Sequence, residues 1–208
     1  MLVVGLTGGM GMGKTSAAAH FRQRGIAVFD ADAYVHHLYE GAAVAAIQAV
    51  FPGVVREGRV DRALLATEVA GQPERLRQLE AIVHPMVAKA EIDFLREQEE
   101  QGASLAVVEI PLLFETGAEI RTDVTVALSA PEAVQRERVL ARPGMTEEKF
   151  KALRARQHSD ADRRAVADFV VDSGTTLENM HAQLDRVIES LQTREGAVME
   201  RLRHQPLG

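Results

Sequence analysis

The sequence predicts an α/β fold in three layers, with a parallel β-sheet of about five strands between two layers of helices. Short apolar runs typical of buried strands alternate along the chain with longer segments of helical pattern. The first apolar run ends in a glycine-rich turn that leads directly into a predicted helix. The chain has 208 residues, of which 46% are hydrophobic, so it can bury a substantial core.

The predicted sheet begins near the amino terminus. The apolar run over residues 2–6 predicts a buried strand. A helix is predicted over about 14–24, where Gly25 ends it. A second strand is predicted over 26–29, and another helix begins directly after it.

The stretch from 33 to about 101 predicts helices and no strand. Glycine and proline break the helical pattern at Gly41, Pro52-Gly53, Gly58 and Gly71-Gln72-Pro73. Pro85 lies inside a long helical pattern, so we expect a kink or a new helix start there. The stretch is too long for a simple crossover between parallel strands. We therefore expect a helical subdomain over about 33–102.

The remainder of the chain returns to strands. Three more strands are predicted over 104–110, 124–128 and 169–171, and three more helices over 131–141, 146–157 and 177–192. Residues 1–192 then form one domain, whose core comprises 1–32, 103–130 and 165–192. The helical pair over about 131–164 is predicted to be a lid. The polar segment 193–208 is predicted to be a tail that frays.

The strongest functional signal is the segment Gly8-Gly9-Met10-Gly11-Met12-Gly13-Lys14-Thr15, which joins the first strand to the first helix. It matches G-x-x-x-x-G-K-S/T, the pattern of a phosphate-binding loop, or P-loop. Glycines let successive backbone N–H groups point at phosphate oxygens, and the helix amino terminus adds partial positive charge. The alternative is a glycine-rich turn that carries a lysine by chance.

A P-loop predicts a site for a nucleoside triphosphate and Mg²⁺. The Lys14 ammonium would bridge the β- and γ-phosphates, and the Thr15 hydroxyl would bind the metal ion. We expect ATP contacts along the whole segment, at Gly8, Gly9, Gly11, Met12, Gly13, Lys14, Thr15 and Ser16.

The rest of the chain favours phosphoryl transfer over hydrolysis. The sequence contains neither the D-x-x-G nor the N/T-K-x-D motif of switch GTPases. Motor ATPases usually end a strand in Asp-Glu, whereas the third predicted strand here ends in Glu109-Ile110-Pro111. No obvious water-activating residue follows, so we expect a bound acceptor for the phosphoryl group.

Two carboxylates, Asp30 and Asp32, follow the second predicted strand. A carboxylate at this edge could orient an acceptor hydroxyl and take its proton. An Asp just before a helix also serves as an amino-terminal cap. We expect at least one of the pair to be functional, with Asp32 as the preferred base and Asp30 as the alternative.

The predicted lid is locally basic. Residues 132–164 hold nine Lys and Arg against six Asp and Glu, and most of these charges are expected on a solvated helix face. Arg138 and Arg142 differ because they lie four residues apart, beside the break at Pro143-Gly144. Two guanidinium groups there could close over the phosphates.

The composition excludes several classes of protein. The absence of cysteine excludes a disulfide framework and a thiol nucleophile, and it fits a cytoplasmic protein. No apolar run approaches the roughly 18 residues of a membrane span. A net charge of −6, with seven Phe, two Tyr and no Trp, disfavours a general nucleic-acid binder. We expect a small-molecule substrate and a monomer or small homo-oligomer.

These motifs together resemble the dephospho-CoA kinase family. The resemblance covers about residues 1–190 and rests on six segments in the family's order: G-L-T-G-G-x-G-x-G-K-S/T at 5–15, D-x-D at 30–32, L-x-x-x-V-H-P-x-V at 79–87, D/E-x-P-L-L-F-E at 109–115, Q-x-x-R-x-x-x-R at 135–142 and A-D-F-V-V-D at 167–172. Four positions depart from the family's usual residues: Met12, Glu109, Pro143 and Ser173.

The resemblance implies ATP-dependent phosphorylation of the ribose 3′-hydroxyl of dephospho-CoA, the last step of CoA synthesis. It implies that the subdomain over about 33–102 binds the CoA moiety. The implied catalytic residues are Lys14, Asp32 and Arg142. Arg138 and Arg142 are both implied to contact ATP. The same resemblance implies acceptor contacts at Asp32, His84, Pro111 and Leu112, and Mg²⁺ at Thr15 and Glu109.

Two alternative functions are open at this point. One is a different small-molecule P-loop kinase, acting on a nucleoside or nucleoside monophosphate, which would share the loop and the lid. The other is a nucleotide-dependent regulator or binding module without turnover. The V-H-P and P-L-L-F-E segments disfavour the first, and Asp32 with the lid arginines disfavours the second.

Overall fold

The structure is a computed structural model that describes residues 1–155 and 157–204. It divides into two compact units, one formed by Met1–Phe29 with the chain from Leu95 onwards, and one formed by Asp30–Phe94. None of the described helices is both long enough and apolar enough to cross a membrane.

The described residues form seven strands and ten α-helices. The strands are β1 Leu2–Gly8, β2 Ala27–Asp30, β3 Val55–Arg56, β4 Arg59–Val60, β5 Leu105–Glu109, β6 Val124–Ser129 and β7 Phe169–Asp172. The helices are α1 Lys14–Gln23, α2 Ala31–Tyr39, α3 Val44–Val50, α4 Arg62–Val69, α5 Pro73–Glu100, α6 Glu132–Leu140, α7 Glu147–Arg154, α8 Asp160–Val166, α9 Leu177–Leu191 and α10 Val198–His204.

Five strands form one sheet in the order β2-β5-β1-β6-β7. Strand β1 pairs in parallel with β5 and β6, and β6 pairs in parallel with β7. Every residue of β1 is buried, which suits a central parallel strand covered on both faces. The predicted parallel sheet of about five strands is therefore confirmed. The P-loop segment over residues 8–15, called the glycine loop below, follows β1. It therefore starts from the middle of the sheet.

Helices α1 and α9 bury their apolar faces in the core of this unit. Phe21 of α1 and Leu184 of α9 have no exposed surface and belong to one cluster with Leu6 and Val126 of the sheet. Helix α1 ends as predicted before Gly25, whose φ of 76° suits a glycine. The core thus fixes α1, and with it the start of that helix at Lys14.

The second unit contains helices and one feature that the sequence analysis missed. Strands β3 and β4 pair as an antiparallel hairpin, so the prediction of helices alone over this stretch is wrong. Its turn residues Glu57 and Gly58 have φ values of 49° and 76°, as a tight hairpin turn requires. Helix α5 runs as one helix through Pro85, so of the two outcomes predicted there, a kink or a new helix start, the new start does not occur and the kink stays a prediction.

The region predicted as a lid has one helix more than expected. Helices α6 and α7 match two predicted helices, although α7 ends at Arg154. Helix α8 was not predicted. Its amino terminus is a capping box, in which the Ser159 hydroxyl accepts from the Asp162 N–H and the Asp162 carboxylate accepts from the Ser159 N–H. Arg156, one of the nine basic residues of this region, lies outside the described residues.

The described part of the carboxy-terminal segment contains a helix that the sequence did not predict. Helix α10 buries Val198 and Met199. The Asp123 carboxylate accepts hydrogen bonds from the N–H groups of Val3 (2.8 Å), Ala197 (2.7 Å) and Val198 (2.9 Å), so it joins this segment to β1. Residues 205–208, including the Pro206 of the predicted tail, lie outside the described residues.

We expect Asp123→Ala to release α10 from β1. The change leaves three backbone N–H groups without their acceptor, which should lower the free energy of unfolding by about 1–3 kcal/mol. Amide hydrogen exchange at Ala197 and Val198 should become faster. The exposed Glu189→Ala on α9 is the control and should change stability by no more than about 0.5 kcal/mol. Unchanged exchange in Asp123→Ala would contradict this account of the contact.

Candidate active site

The glycine loop connects the end of β1 to the start of α1. Gly11 and Gly13 have φ values of 76° and 81°, a region of backbone space that glycine enters without cost. Gly13 caps α1, and neither a capping side chain nor an acidic residue occupies the first turn. The N–H groups at this helix end are therefore suited to an external anion.

Lys14 lies at the first position of α1 and reaches back over the loop. Its Nζ donates a hydrogen bond to the Gly8 carbonyl at 2.8 Å. The side chains of Thr15 and Ser16, in the same helical turn, are exposed. The loop thus presents an ammonium group, two hydroxyl groups and the helix amino terminus from one short segment, which suits phosphate binding.

Helix α6 packs closely against the loop, so glycine is required there for space as well as for conformation. A Cβ atom at Gly11 would lie 2.6 Å from the Val139 Cγ2 and 3.1 Å from the Gln135 carbonyl oxygen. A Cβ atom at Gly9 would lie 2.8 Å from the Arg163 Nη2. The sequence pattern predicted the glycines, but it did not identify these neighbours.

Three residues that the sequence analysis did not assign to the site contact the loop. The Gln135 Nε2 donates to the Met10 carbonyl at 2.9 Å, and the Met10 N–H donates to the Gln157 Oε1 at 3.2 Å. The Arg163 guanidinium lies beside Gly9. The Q-x-x-R-x-x-x-R segment includes Gln135 but does not indicate its contact with the loop, and no local pattern marks Gln157 or Arg163. Each glutamine lies at least 125 positions from Met10 along the chain.

Arg163 is almost completely buried, with 3% of its surface exposed. Its Nη1 donates to the His158 carbonyl at 2.5 Å, and its Nη2 lies 3.8 Å from the Asp160 Oδ1. Burial lowers the pKa of the guanidinium, and the carboxylates of Asp160, Glu115 and Asp162 oppose that shift. Arg163 therefore places a positive charge below the surface next to the loop.

The two predicted lid arginines have different settings. Arg138 lies in the last turn of α6, and its Nη2 donates to the Ser173 carbonyl at 2.8 Å, just after β7. Arg142 lies beyond the end of α6 in the turn that leads to α7, and it is exposed. Arg138 is thus anchored to the core, whereas Arg142 is on the connecting turn.

Glu109 and Thr15 are the predicted metal ligands. Glu109 ends β5, is 7% exposed and lies opposite Leu6 in the register with β1. A hydroxyl and a carboxylate are hard oxygen donors, so this donor set fits Mg²⁺ that takes its other ligands from phosphate and water. Within 1–155 and 157–204, no group of three or more His, Asp or Glu side chains could hold a metal ion.

Asp30 and Asp32 belong to the second unit, where the structure separates their roles. The Asp30 Oδ1 accepts a hydrogen bond from the Ala33 N–H at 2.9 Å, so Asp30 is the amino-terminal cap of α2. Asp32 lies in the first turn of that helix with an exposed side chain. The capping interpretation therefore applies to Asp30.

The predicted acceptor contacts are divided between the two units. His84 is exposed on α5, in the second unit. Pro111 and Leu112 are half-buried in the first unit, in the segment after β5. The Thr7 hydroxyl of β1 donates to the Pro111 carbonyl at 3.3 Å, which ties this segment to the strand that precedes the glycine loop.

We expect Gly11→Ala to weaken ATP binding by at least about 10-fold, because the new methyl group must displace either the loop or α6. Gly25→Ala is a matched control. Its φ is also 76°, but its Cβ would meet no atom within 4 Å. The control should therefore lose only about 1–2 kcal/mol of stability and keep its nucleotide affinity. Calorimetric titration with Mg-ATP measures both variants, and equal affinities would contradict the steric argument.

Comparison with known proteins agrees with the sequence motifs. The model of the dephospho-CoA kinase family matches residues 2–179. The dephospho-CoA kinase of Brucella melitensis is 50% identical over 197 residues, which cover 95% of this chain and 98% of that protein. A crystal structure from Thermus thermophilus has a TM-score of 0.80 and 36% identity, covering 91% of this chain and 97% of that one.

A more distant solved structure has the same fold. The dephospho-CoA kinase from Campylobacter jejuni has a TM-score of 0.63 at 18% identity, covering 91% of this chain and 96% of that one. The family model spans both the glycine loop and the acidic pair after β2. On this match and on the identity to the Brucella protein, the chain belongs to the dephospho-CoA kinase family.

Proposed function

We propose that the protein transfers the γ-phosphoryl group of ATP to the ribose 3′-hydroxyl of dephospho-CoA, giving CoA and ADP. The observation that carries the proposal is the glycine loop with Lys14 at the start of α1, in a chain that belongs to this family. No observation favours a nucleoside or nucleoside monophosphate acceptor. The expected cytoplasmic location and the expected monomer or small homo-oligomer remain predictions.

The loop would hold the phosphates of ATP. Gly8, Gly9, Gly11, Met12, Gly13, Thr15 and Ser16 supply backbone N–H and hydroxyl groups, and the Lys14 ammonium exchanges the Gly8 carbonyl for the more strongly attracting phosphate oxygens. Because charge on these oxygens changes during transfer, a fixed ammonium stabilises the transition state. Arg142, and Arg138 from its anchored position, add positive charge from the lid.

Thr15 and Glu109 would hold Mg²⁺. When bound, the metal ion neutralises phosphate charge and orients the β- and γ-phosphate oxygens. Glu109 ends β5 with a largely buried carboxylate, an oxygen donor of the kind that Mg²⁺ takes.

Asp32 is the proposed base. A ribose hydroxyl is a weak nucleophile, and a carboxylate helps by fixing its lone pair in line with the γ-phosphorus and by accepting its proton late in the transfer. Since Asp30 already caps α2, the capping role does not compete for Asp32. His84, Pro111 and Leu112 are the proposed acceptor contacts, with the helical subdomain over about 33–102 binding the rest of dephospho-CoA.

A competition between acceptors tests the proposal. The purified protein receives Mg-ATP together with equal concentrations of dephospho-CoA, adenosine and AMP, and mass spectrometry identifies which acceptor gains one phosphate. We expect phosphorylation of dephospho-CoA. Preferential phosphorylation of adenosine or AMP would overturn the proposal in favour of the alternative kinase.

We expect Lys14→Ala to reduce kcat/KM by roughly 10²-fold or more, because such electrostatic contacts contribute about 3 kcal/mol to transition-state stabilisation. The side chain is only partly buried, so the loss of stability should be small. Arg186→Ala removes an exposed cation from α9 and is the control, with unchanged kinetics. Near-normal turnover of Lys14→Ala would show that this lysine does not serve the phosphates.

We expect Asp32→Asn to lower kcat by roughly 10²-fold while stability stays unchanged, because the amide keeps the size of the carboxylate but cannot accept the proton. Asp30→Asn is the matched variant. Asparagine caps helices as well as aspartate does, so this variant should keep near-normal kcat and stability. An active Asp32→Asn together with an inactive Asp30→Asn would reverse the assignment within the pair.

A further inference from the structure

Two glutamine side chains hold the glycine loop at one residue, Met10. The Nε2 of Gln135, on α6, donates to the Met10 carbonyl at 2.9 Å. The Oε1 of Gln157, which follows α7, accepts from the Met10 N–H at 3.2 Å. Gln135 is 4% exposed, so its amide is shielded from water and takes the Met10 carbonyl as its hydrogen-bond partner. The two bonds fix two successive peptide planes, 9–10 and 10–11.

The backbone determines the direction of each bond. A peptide N–H can only donate and a carbonyl can only accept, so Gln157 must act through its oxygen and Gln135 through its nitrogen. The contacts therefore have opposite chemical requirements, although the two side chains are identical.

Gln157 is itself held in place by its neighbours. The N–H of His158 donates to the Glu115 Oε1 at 2.7 Å, and the His158 carbonyl accepts from the buried Arg163. The segment after α7 is thus joined to the chain after β5 and to α8. Arg163 also lies beside Gly9, so α8 and the two glutamines contact neighbouring residues of the loop.

The orientation of peptide planes 9–10 and 10–11 matters for phosphate binding. A P-loop binds anions because successive N–H groups converge on one side of the loop. Rotation of one plane would turn a carbonyl oxygen towards the side that binds phosphate, where it repels an anion. Glycine at positions 9 and 11 makes such rotations easy. Within the loop, the Met12 N–H donates to the Gly9 carbonyl at 3.2 Å and helps to hold plane 9–10, and the two glutamine bonds add an external constraint on both planes.

We propose that Gln135 and Gln157 are positioning residues that preset the glycine loop for ATP before the nucleotide arrives. The inference rests on the proposed function only in taking ATP as the ligand. A loop that is already ordered does not lose conformational entropy when ATP binds. Loss of either glutamine contact should therefore weaken nucleotide binding more than it slows the transfer step.

Two methionine variants remove the bonds with little change in side-chain size. We expect Gln135→Met and Gln157→Met each to raise KM for ATP about 5- to 10-fold while kcat stays within about twofold. Gln101→Met, at an exposed position, is the control and should change neither. A merely structural role would lower the melting temperature and the active fraction without changing KM.

Two glutamate variants add the same charge beside the loop but differ in chemistry. Gln157→Glu keeps an acceptor for the Met10 N–H, whereas Gln135→Glu places a carboxylate against the Met10 carbonyl oxygen. We expect Gln135→Glu to bind a non-hydrolysable ATP analogue with Mg²⁺ at least about 10-fold more weakly than Gln157→Glu does, as measured by calorimetric titration. Equal affinities of the two variants would overturn the proposal.

Amide hydrogen exchange keeps the test independent of activity and of variants that fail to fold. In the nucleotide-free protein, the Met10 amide should be protected, and Gln157→Met should accelerate its exchange by at least about 5-fold. Unprotected exchange of this amide in the unmodified protein would overturn the proposal whether or not dephospho-CoA is the acceptor. If the unmodified protein binds ATP and its Met10 amide is protected, but dephospho-CoA is not phosphorylated, the proposed function fails while the proposal about the two glutamines stands.

Discussion

The close approach of the glycine loop to helix α6 is the constraint on which the site depends. Gly11 lies so near Val139 and the Gln135 carbonyl that no larger residue fits between them. The loop starts from β1, the central strand, and continues into α1, whose Phe21 is fully buried in the core. The sheet and core thus fix both ends of the loop, and α6 fixes its middle.

The same contacts bear on the predicted lid over 131–164. Gln135 and Gln157 are both hydrogen-bonded to Met10, so we expect closure over the phosphates to be confined to the turn and helix between them. Helix α7 is joined to α6 by two ion pairs, Arg136 with Glu147 and Arg154 with Glu132, whose partners are largely exposed to solvent. Such pairs contribute little stability, which suits the predicted role of this helix in a lid.

The sequence predicted the features that depend on local pattern. The buried strands, the helix starting at Lys14 and the phosphate loop all follow from apolar runs and glycine spacing. The β3–β4 hairpin was missed because its strands have only two residues each. Helix α8 was missed because it is short and charged, although its S-x-x-D capping box at 159–162 was a usable signal. Contacts such as Asp123 with Ala197 join distant residues and leave no pattern in the sequence.

We propose that the protein transfers a phosphoryl group to one bound hydroxyl and does not deliver it to water. The most direct measurement is the position of the phosphate in the product formed from dephospho-CoA and Mg-ATP, read from phosphorus–proton coupling in the NMR spectrum. We expect coupling to the ribose H3′, with one ADP formed for each CoA. Coupling to H2′, or accumulation of ADP without a phosphorylated acceptor, would contradict it.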